Sequence, residues 1–427
     1  MSVFIKIKDQ QLGPYSYNEL KKLVTEGSFD QDDLVFSEAS NEWVRAGHLE
    51  ELRKLFPGPV STPSERMVYA IGGGKGGVGK TVLTASIGIG LAALGYRVVM
   101  VDADLGGANL HTCMGILEPQ YTFYHFYSLQ KESLSDILLD TPIENLKLIS
   151  GACGTLGLAN PRYSQKLRFI NELRKIDADF ILLDLGAGSS YNVIDFFLAA
   201  DHGLAVTTPE PMAIQETFNF LKIALMRKLT REFKDDPDAI NRLEQEVFAD
   251  SGRMSQSVGA ALQKLAGEDP ATAKRIQGIL DGFTPSLILN MVHSEDEVKE
   301  GVALRTAVEE LLAMKMNFLG YVEHDESVRR AVKELRPFVV DDPTSRAAKN
   351  LAKLITVGLL KKTGWAGFKE KRRVLRQVKQ QNKEYPSQQI RESETICSVQ
   401  CFYWGDCEYQ NGGYPCPVRH LDPIFKS

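Results

Sequence analysis

A glycine-rich segment in the first quarter of the chain carries residues that suit a phosphate chain. Residues 74–81 read GKGGVGKT, which fits the spacing GxxxxGK[ST]. Glycines let such a loop turn its backbone N–H groups inward, through backbone angles that a Cβ would forbid. Lys80 would then supply charge to the β- and γ-phosphates, and Thr81 a hydroxyl ligand to Mg²⁺. The candidate nucleotide contacts are Gly74, Lys75, Gly76, Gly77, Val78, Gly79, Lys80 and Thr81.

Three acidic residues follow apolar runs and suit a Mg²⁺-nucleotide centre. Asp184 ends the run FILLD, and Asp102 and Asp104 follow VVMV. Because the carboxyl ends of parallel strands meet at one edge of a sheet, we expect all three to face one crevice. Asp184 could reach the metal through water, and Asp102 or Asp104 could orient an attacking water. The alternative for any one of them alone is an ordinary loop-forming residue at a strand end.

Alternating apolar runs and helical stretches must position these groups. Seven Ile/Leu/Val-rich runs are almost free of polar alternation, as expected when helices cover both faces of a parallel sheet. They are Val68 to Ile71, Arg97 to Val101, Leu146 to Ile149, Phe180 to Leu183, Gly203 to Val206, Ser286 to Leu289 and Phe318 to Val322. The pattern predicts an α/β domain with a doubly wound, mostly parallel sheet over residues 67–362, interrupted by a helical insertion at 225–283.

The two ends of the chain differ in composition from this central part. Three prolines among small and polar residues in LFPGPVSTPSER indicate an exposed linker at 56–66, which separates a small domain at 1–55. Residues 361–391 contain ten Lys or Arg and two acidic residues, which predicts a basic helical segment at 363–395. A cysteine-rich tail follows at 396–427.

Composition excludes several classes of protein. The 427 residues carry 50 Lys plus Arg against 55 Asp plus Glu, a net charge of −5, so the chain as a whole is not a general polyanion binder. No apolar run of about 18 residues is present, and Met1 to Gln10 does not resemble a secretory leader. We therefore expect a soluble cytoplasmic protein.

Four of the six cysteines lie within the last 31 residues. They are Cys397, Cys401, Cys407 and Cys416. Thiolates so close together in a reducing compartment could bind tetrahedral Zn²⁺ or an iron–sulfur cluster, and free or redox-active thiols are the alternative. Their spacing does not distinguish among these three possibilities.

The glycine-rich segment resembles the deviant Walker A box of the MinD/ParA superfamily, because Lys75 directly follows its first glycine. The resemblance continues, in family order, through VVMVDADLGGANL, FILLDLGAG, TTPEPMAIQET, LILNMV and LGYVEHDESVRRAV. It implies binding of ATP with Mg²⁺ and a signature lysine, Lys75, that reaches the partner's ATP across a sandwich dimer. It also implies that Asp104 positions the catalytic water, that Asp184 is the Walker B acid and that Asn290 reads the adenine edge.

Within that superfamily the chain is most similar to the flagellar-number and placement ATPases. The resemblance implies an ATP-dependent homodimer that hydrolyses ATP slowly, is stimulated by a partner, and positions a flagellum, division or polar machinery. Such a protein would be cytoplasmic and could gather at a pole or membrane. Two alternatives stay open: a carrier ATPase for an iron–sulfur or other metal cluster, and an adaptor in which the nucleotide is structural.

Residues 1–55 resemble a short bacterial GYF-type domain. Gly13-Pro14-Tyr15, a following helix and Trp43 carry the resemblance. It implies an aromatic surface for proline-rich peptides, with Tyr15, Tyr17 and Trp43 as candidates. A packing role for Trp43 is the alternative.

The basic segment suggests a further contact. Residues 364–379 place Trp365, Phe368, Leu375 and Val378 beside many Lys and Arg. A solvated charged helix and, as in many MinD relatives, a helix on an anionic membrane are both open readings. Nucleic acid is the least favoured partner.

Overall fold

The computed structural model describes most of the chain. The described residues are 2–7, 10–25, 29, 33–37, 42–46, 49–53, 66–151, 161, 163–248 and 255–385. All of the linker at 56–66 except Arg66 lies outside them, as does the whole cysteine-rich tail.

The N-terminal domain is a small antiparallel sheet with two helices. Its strands, in the spatial order β2-β1-β3-β4, are β1 Ser2–Ile7, β2 Gln10–Ser16, β3 Leu34–Ser37 and β4 Glu42–Arg45. The helices are α1 Tyr17–Thr25 and α2 Glu50–Arg53. Because alternate residues of a strand point to opposite faces, β1 buries Val3 and Ile5. They pack with Leu20, Phe29, Val35, Ala46 and Leu52.

The central domain is built on an eight-stranded sheet. Its order is β12-β11-β10-β5-β9-β6-β8-β7. Its strands are β5 Met67–Gly72, β6 Val98–Asp102, β7 Leu139–Asp140, β8 Leu146–Ile149, β9 Phe180–Asp184, β10 His202–Thr207, β11 Ser286–Val292 and β12 Asn317–Glu323. Every pair is parallel except β7 with β8. The predicted fold class and all seven predicted strands are confirmed.

Fourteen helices accompany this sheet in the described part of the chain. They are α3 Lys80–Ala93, α4 Leu110–Cys113, α5 Phe123–Tyr127, α6 Tyr163–Leu173, α7 Tyr191–Ala199, α8 Pro211–Glu232, α9 Pro237–Val247, α10 Val258–Glu268, α11 Pro270–Gly282, α12 Val298–Leu312, α13 Glu326–Lys333, α14 Phe338–Asp341, α15 Arg346–Lys353 and α16 Gly364–Glu384. A π-helical turn at Leu354–Leu359 follows α15. None of the described helices is long and apolar enough to cross a membrane.

Helices α9 to α11 form the insertion between β10 and β11. Each begins at a short polar residue whose side chain accepts a backbone N–H of the first turn, which satisfies a donor that the helix leaves open. These caps are Asp236, Ser257 and Asp269. Residues 225–232, which the sequence pattern assigned to the insertion, are instead the last two turns of α8.

Helix α3 carries the glycine-rich segment at its N-terminus and is buried along most of its length. Gly90 allows close packing there, because a Cβ at this position would lie 2.3 Å from Cδ1 of Ile355. Helix α16 packs on α3 and α15, and buries Val374 and Val378. Trp365 and Phe368 of the same helix remain exposed, and their rings stack with centroids 5.4 Å apart. The apolar residues of α16 are therefore divided between a buried face and an exposed one.

A buried carboxylate forms ion pairs that link helices α6, α7 and α8. Asp195 of α7 is 1% exposed. It accepts from Nζ of Lys166 on α6 at 2.6 Å, from Nε of Arg227 on α8 at 3.0 Å, and from Nη2 of Arg231 at 2.7 Å. These partners hold the pKa of Asp195 below its usual value although burial opposes them.

Candidate functional site

The loop between β5 and α3, residues 73–79, has the geometry that its glycines predict; we call it the glycine loop. Gly77 and Gly79 adopt φ values of 77° and 89°, in the left-handed region that favours glycine. At Gly74 the restriction is space, because a Cβ there would lie 2.1 Å from the carbonyl oxygen of Glu216. Helix α3 begins directly at Lys80, so its N-terminal N–H groups open towards the loop.

The two lysines of the segment occupy opposite environments. Lys80 is 7% exposed, and its Nζ donates to the carbonyl oxygen of Lys75 at 3.3 Å. Burial lowers the pKa of Lys80, and the charges of Asp184 and Asp104 oppose that shift. The side chain of Lys75 is exposed. One ammonium group thus lies inside the site, and the other points out of it.

Two buried carboxylates flank the loop at the ends of β6 and β9. Asp102 and Asp184 are paired in register between these parallel strands. Asp102 Oδ2 accepts the backbone N–H of Leu110 at 3.0 Å, and its Oδ1 accepts that of Asp104 at 3.3 Å. Burial raises the pKa of Asp102 well above its usual value, and the charge of Asp184 adds to that shift.

Asp184 is held by two hydroxyl groups of α3. Its Oδ1 accepts from Oγ1 of Thr84 at 3.1 Å, and its carboxylate also accepts from Thr81. Burial raises the pKa of Asp184 to about 6, while these two hydrogen bonds and Lys80 act in the opposite direction. Paired buried carboxylates beside a threonine hydroxyl are the hard oxygen ligands that suit Mg²⁺. The residues therefore fit a magnesium-bound nucleotide.

Asp104 differs from Asp102 in exposure. It lies half-buried at the opening of the site, where its Oδ1 accepts the backbone N–H of Gly107 at 3.1 Å. A Cβ at Gly186 would lie 3.0 Å from the same oxygen, so the glycine leaves room beside the carboxylate. Of the three acidic residues, Asp104 is thus the one placed to contact solvent.

Asn290, near the end of β11, lies against the glycine loop. Its Nδ2 donates to the carbonyl oxygen of Val78 at 2.9 Å, and a Cβ at Gly79 would lie 2.3 Å from Nδ2. The sequence separation of 212 residues hides this contact from any local pattern. The structure thereby joins the strand predicted to read the base to the loop predicted to hold the phosphates.

Sequence reasoning missed an acidic residue at the same opening. Glu210 directly precedes α8, and a hydrogen bond from Thr208 lowers its pKa, with further contributions from the charges of Lys75 and His293. The carboxylate of Glu210 therefore lies within electrostatic range of the exposed Lys75 and of His293, which follows β11. Its position in the stretch TTPEP, beside the end of β10, was the available signal.

The three candidate aromatic residues of the N-terminal domain do not form one cluster. Tyr15 lies on β2 and packs against the small core, whereas Tyr17 is 40% exposed. Trp43 lies on β4, which is separated from β2 by β1 and β3, and contacts Phe36 edge-on at 5.6 Å. Strand spacing puts β2 and β4 about 14 Å apart. Tyr17 is consequently the most accessible of the three rings.

Among residues 2–385, wherever the chain is described, no set of three His, Cys, Asp or Glu side chains has the arrangement of a metal site. The four tail cysteines lie outside that part of the chain. The proposed zinc or iron–sulfur site is therefore untested by the structure.

Family models match both folded parts of the chain. The CobQ/CobB/MinD/ParA nucleotide binding domain matches residues 69–338, more than half of the chain. GYF domain 2 matches residues 4–52. The two matches cover the same parts of the chain as the two sheets described above.

Individual proteins show similarity over the same region. Antiactivator FleN of Pseudomonas aeruginosa is 28% identical over 285 residues, which is 66% of this chain and 82% of that protein. A putative septum site-determining protein MinD of Chlorella vulgaris is 33% identical over 150 residues, 35% of this chain and 53% of that protein, so the alignment spans about half of that relative. The structure of MinD with Mg-ADP from Pyrococcus horikoshii has a TM-score of 0.45 at 22% identity, covering 71% of this chain and 98% of that one.

Proposed function

The chain belongs to the CobQ/CobB/MinD/ParA family of nucleotide-binding domains, and on that premise we propose that it is an ATP-hydrolysing dimerisation switch. Members of the MinD/ParA type are ATPases that bind ATP or ADP with Mg²⁺. ATP-bound chains would pair across their nucleotides, hydrolysis would separate them, and the dimer alone would recruit partners. Turnover would be slow and stimulated by a partner.

The contrast between Lys75 and Lys80 is the observation that carries this proposal. A nucleotide in the glycine loop would contact Lys80, which is buried at the start of α3. Lys75 leaves the same loop with an exposed side chain, and the charge of Glu210 lies near it. An exposed cation at the opening is suited to a phosphate group on a second chain.

The residues at the opening also support a hydrolytic role. When bound, Mg²⁺ would neutralise charge that develops on the phosphate oxygens. Thr81, Asp102 and Asp184 would hold it, directly or through water. Asp104, half-buried and beside Gly186, would accept a hydrogen bond from the attacking water and orient it towards the terminal phosphate. Asn290 would read the edge of the base.

Replacing one lysine at a time tests the switch. Lys75→Ala should bind Mg·ATP within about threefold of the wild type, because Lys80 and the loop N–H groups remain, yet lose dimerisation and hydrolysis. Lys80→Ala should lose binding itself. Lys299→Ala is a matched control, since Lys299 is exposed and forms only a surface ion pair with Asp296. Light scattering and phosphate release measure the outcome, and unchanged turnover in Lys75→Ala would sink the proposal.

We propose positioning of a cellular structure as the biological role. The support is the names of two relatives, an antiactivator and a septum site-determining protein. The partner would bind to residues 1–55, which match a GYF domain and which we propose as the proline-rich peptide module. Residues 67–362 would be the ATPase and 363–395 a basic helical segment. A pull-down from native cells with the N-terminal domain as bait would identify the partner.

The exposed side of α16 is a proposed contact with an anionic membrane surface. Trp365 and Phe368 protrude at its N-terminus, and Lys369, Arg372 and Arg376 extend along the same face. Sedimentation with vesicles of anionic lipid tests this contact. Binding that is unchanged in Trp365→Ala/Phe368→Ala would exclude these rings.

We also propose that the tail cysteines bind one metal, because the 32 residues of the tail are too few for a stable core without a cross-link, metal or partner. Metal analysis of protein purified without oxygen should give about one zinc per chain, or iron with labile sulfide. Only a labile iron–sulfur cluster would favour the alternative function, a cluster carrier. Metal-free protein with four freely alkylated thiols would refute both forms.

A further inference from the structure

Two histidines at the end of the sheet lie face to face. His293 follows β11, His324 follows β12, and these strands are parallel neighbours. The ring centroids are 4.4 Å apart and the ring planes differ by 21°. Both side chains are exposed. Exposed rings gain little free energy from being buried. Burial alone therefore does not explain why the two imidazole rings lie so close together.

The backbone around the pair is specifically shaped. Met291 has φ 58°, a left-handed value that is unusual for a residue other than glycine, and the register between β11 and β12 shifts between Leu289 and Val292. This bulge changes the direction of the chain just before His293. Such local strain tends to persist at functional sites, where surrounding contacts hold it in place.

Hydrogen bonds fix both histidines on that backbone. The N–H of His324 donates to the carbonyl oxygen of Val292 at 2.9 Å. The N–H of His293 donates to Oε2 of Glu297 at 2.7 Å. The two rings are therefore presented by anchored residues and not by a loose loop.

The pair borders the nucleotide site. Asn290, three residues before His293, donates to Val78 in the glycine loop. Glu210 lies close enough to both His293 and Lys75 for their charges to act on its carboxylate. A nucleotide whose phosphates lie in the glycine loop and whose base extends past Asn290 would thus meet this edge of the sheet.

We propose that the His293–His324 stack is the platform on which the nucleobase rests, and that it makes the site selective for purines. The inference rests on the proposed nucleotide site. An imidazole ring offers a flat π face, and a second imidazole behind it keeps that face in place. A purine covers such a face more fully than a pyrimidine does. Stacking of a base on a flat side chain is favourable for every base, and its strength grows with the stacking surface.

Calorimetric titration of the full chain with Mg·ADP, Mg·CDP and Mg·pyrophosphate tests the platform, since these ligands share phosphates and differ in the base. His293→Leu/His324→Leu should bind ADP about tenfold more weakly, the scale of one lost stacking contact. Its pyrophosphate affinity should be unchanged and its preference for ADP over CDP should shrink. His293→Phe/His324→Phe should stay within about threefold of the wild type for ADP, because it keeps flat rings. That rescue separates stacking from a structural role.

His202→Leu is the matched control. His202 also stacks on an aromatic ring, that of Tyr69 at 4.9 Å, but at the opposite end of the sheet where β10 begins. Its affinity for ADP should equal that of the wild type. Unchanged ADP affinity in the double Leu variant, or an equal loss for pyrophosphate, would overturn the platform. A wild-type chain that binds neither ADP nor pyrophosphate would instead overturn the nucleotide site itself.

Discussion

Asp102 and Asp184 lie opposite each other in register at the ends of two neighbouring parallel strands, and both are almost fully buried. Burial raises the pKa of each carboxyl group, and the charge of Asp184 raises that of Asp102 further. Two carboxylates enclosed together favour either a shared proton or a cation between them. The pair is thus unfavourable for the empty fold and favourable for the magnesium-bound one.

Asp184→Asn should stabilise the chain in the absence of nucleotide and Mg²⁺. A carboxyl group whose pKa is raised by folding binds more protons when folded, so the free energy of unfolding falls as pH rises through about 4 to 6. At pH 7.5 the variant should gain about 1 to 3 kcal/mol, because one pKa unit corresponds to about 1.4 kcal/mol. Thermal unfolding between pH 5 and 8 measures this gain.

Asp140→Asn is the control for that measurement. Its carboxylate is exposed and pairs only with Lys147 at the surface. The melting temperature of Asp140→Asn should differ little from that of the wild type between pH 5 and 8. A lower melting temperature for Asp184→Asn than for the wild type at pH 7.5 would show that the carboxylate stabilises the empty fold.

Asp104→Ala should bind Mg·ATP and accumulate as a dimer. The substitution removes the carboxylate at the opening but leaves Lys80, Thr81 and the buried pair in place. Phosphate release should fall by at least about a hundredfold, the usual scale for loss of a group acting in proton transfer or water orientation. Sedimentation in excess ATP should show the dimer. A monomer under these conditions would assign the carboxylate to assembly instead.

Tyr17→Ala should weaken binding of proline-rich peptides to the N-terminal domain by about tenfold or more, because Tyr17 is the most accessible candidate ring. Tyr15→Ala should also lower the melting temperature, since Tyr15 packs on the core of this domain. Fluorescence anisotropy with labelled peptides measures affinity, with Glu51→Ala as an exposed control on α2. If Tyr17→Ala binds the peptides as tightly as the wild type does, Tyr17 is not part of the peptide-binding surface.

Asp195→Asn should cost about 3 to 5 kcal/mol of unfolding free energy at pH 7, because it leaves three cations without their buried partner. The pKa of Asp195 is lowered, so its contribution is complete above the unfolded pKa and is lost as pH falls through the folded value. The difference in unfolding free energy between Asp195→Asn and the wild type should therefore become smaller below about pH 4. Urea unfolding measures it.

Asp177→Asn provides the matched comparison. Asp177 pairs with Arg97 at 2.6 Å but has a side chain 86% exposed. An exposed ion pair contributes under about 1 kcal/mol. If Asp195→Asn and Asp177→Asn lose the same unfolding free energy, burial does not make the ion pairs of Asp195 stronger than that of Asp177.

The strands were predictable because a parallel strand covered on both faces must be apolar throughout. The sequence pattern does not predict strand β7, because Leu139–Asp140 has only two residues and pairs at the edge of the sheet. The sequence pattern assigns the end of α8 to the insertion, because a charged helical stretch has the same composition whether it ends a core helix or belongs to an insertion. The contact of Asn290 with Val78 and the stack of His293 on His324 depend on strand neighbours far apart in sequence.

The packing of α16 on α3 determines where the chain can be truncated without exposing buried residues. A truncation after residue 362, at the boundary that sequence composition suggests, would remove Val374 and Val378 and expose the flank of the helix that begins at Lys80. Such a fragment should aggregate or bind nucleotide poorly for reasons unrelated to catalysis. A truncated form of the central domain should therefore end after residue 384, where α16 is complete.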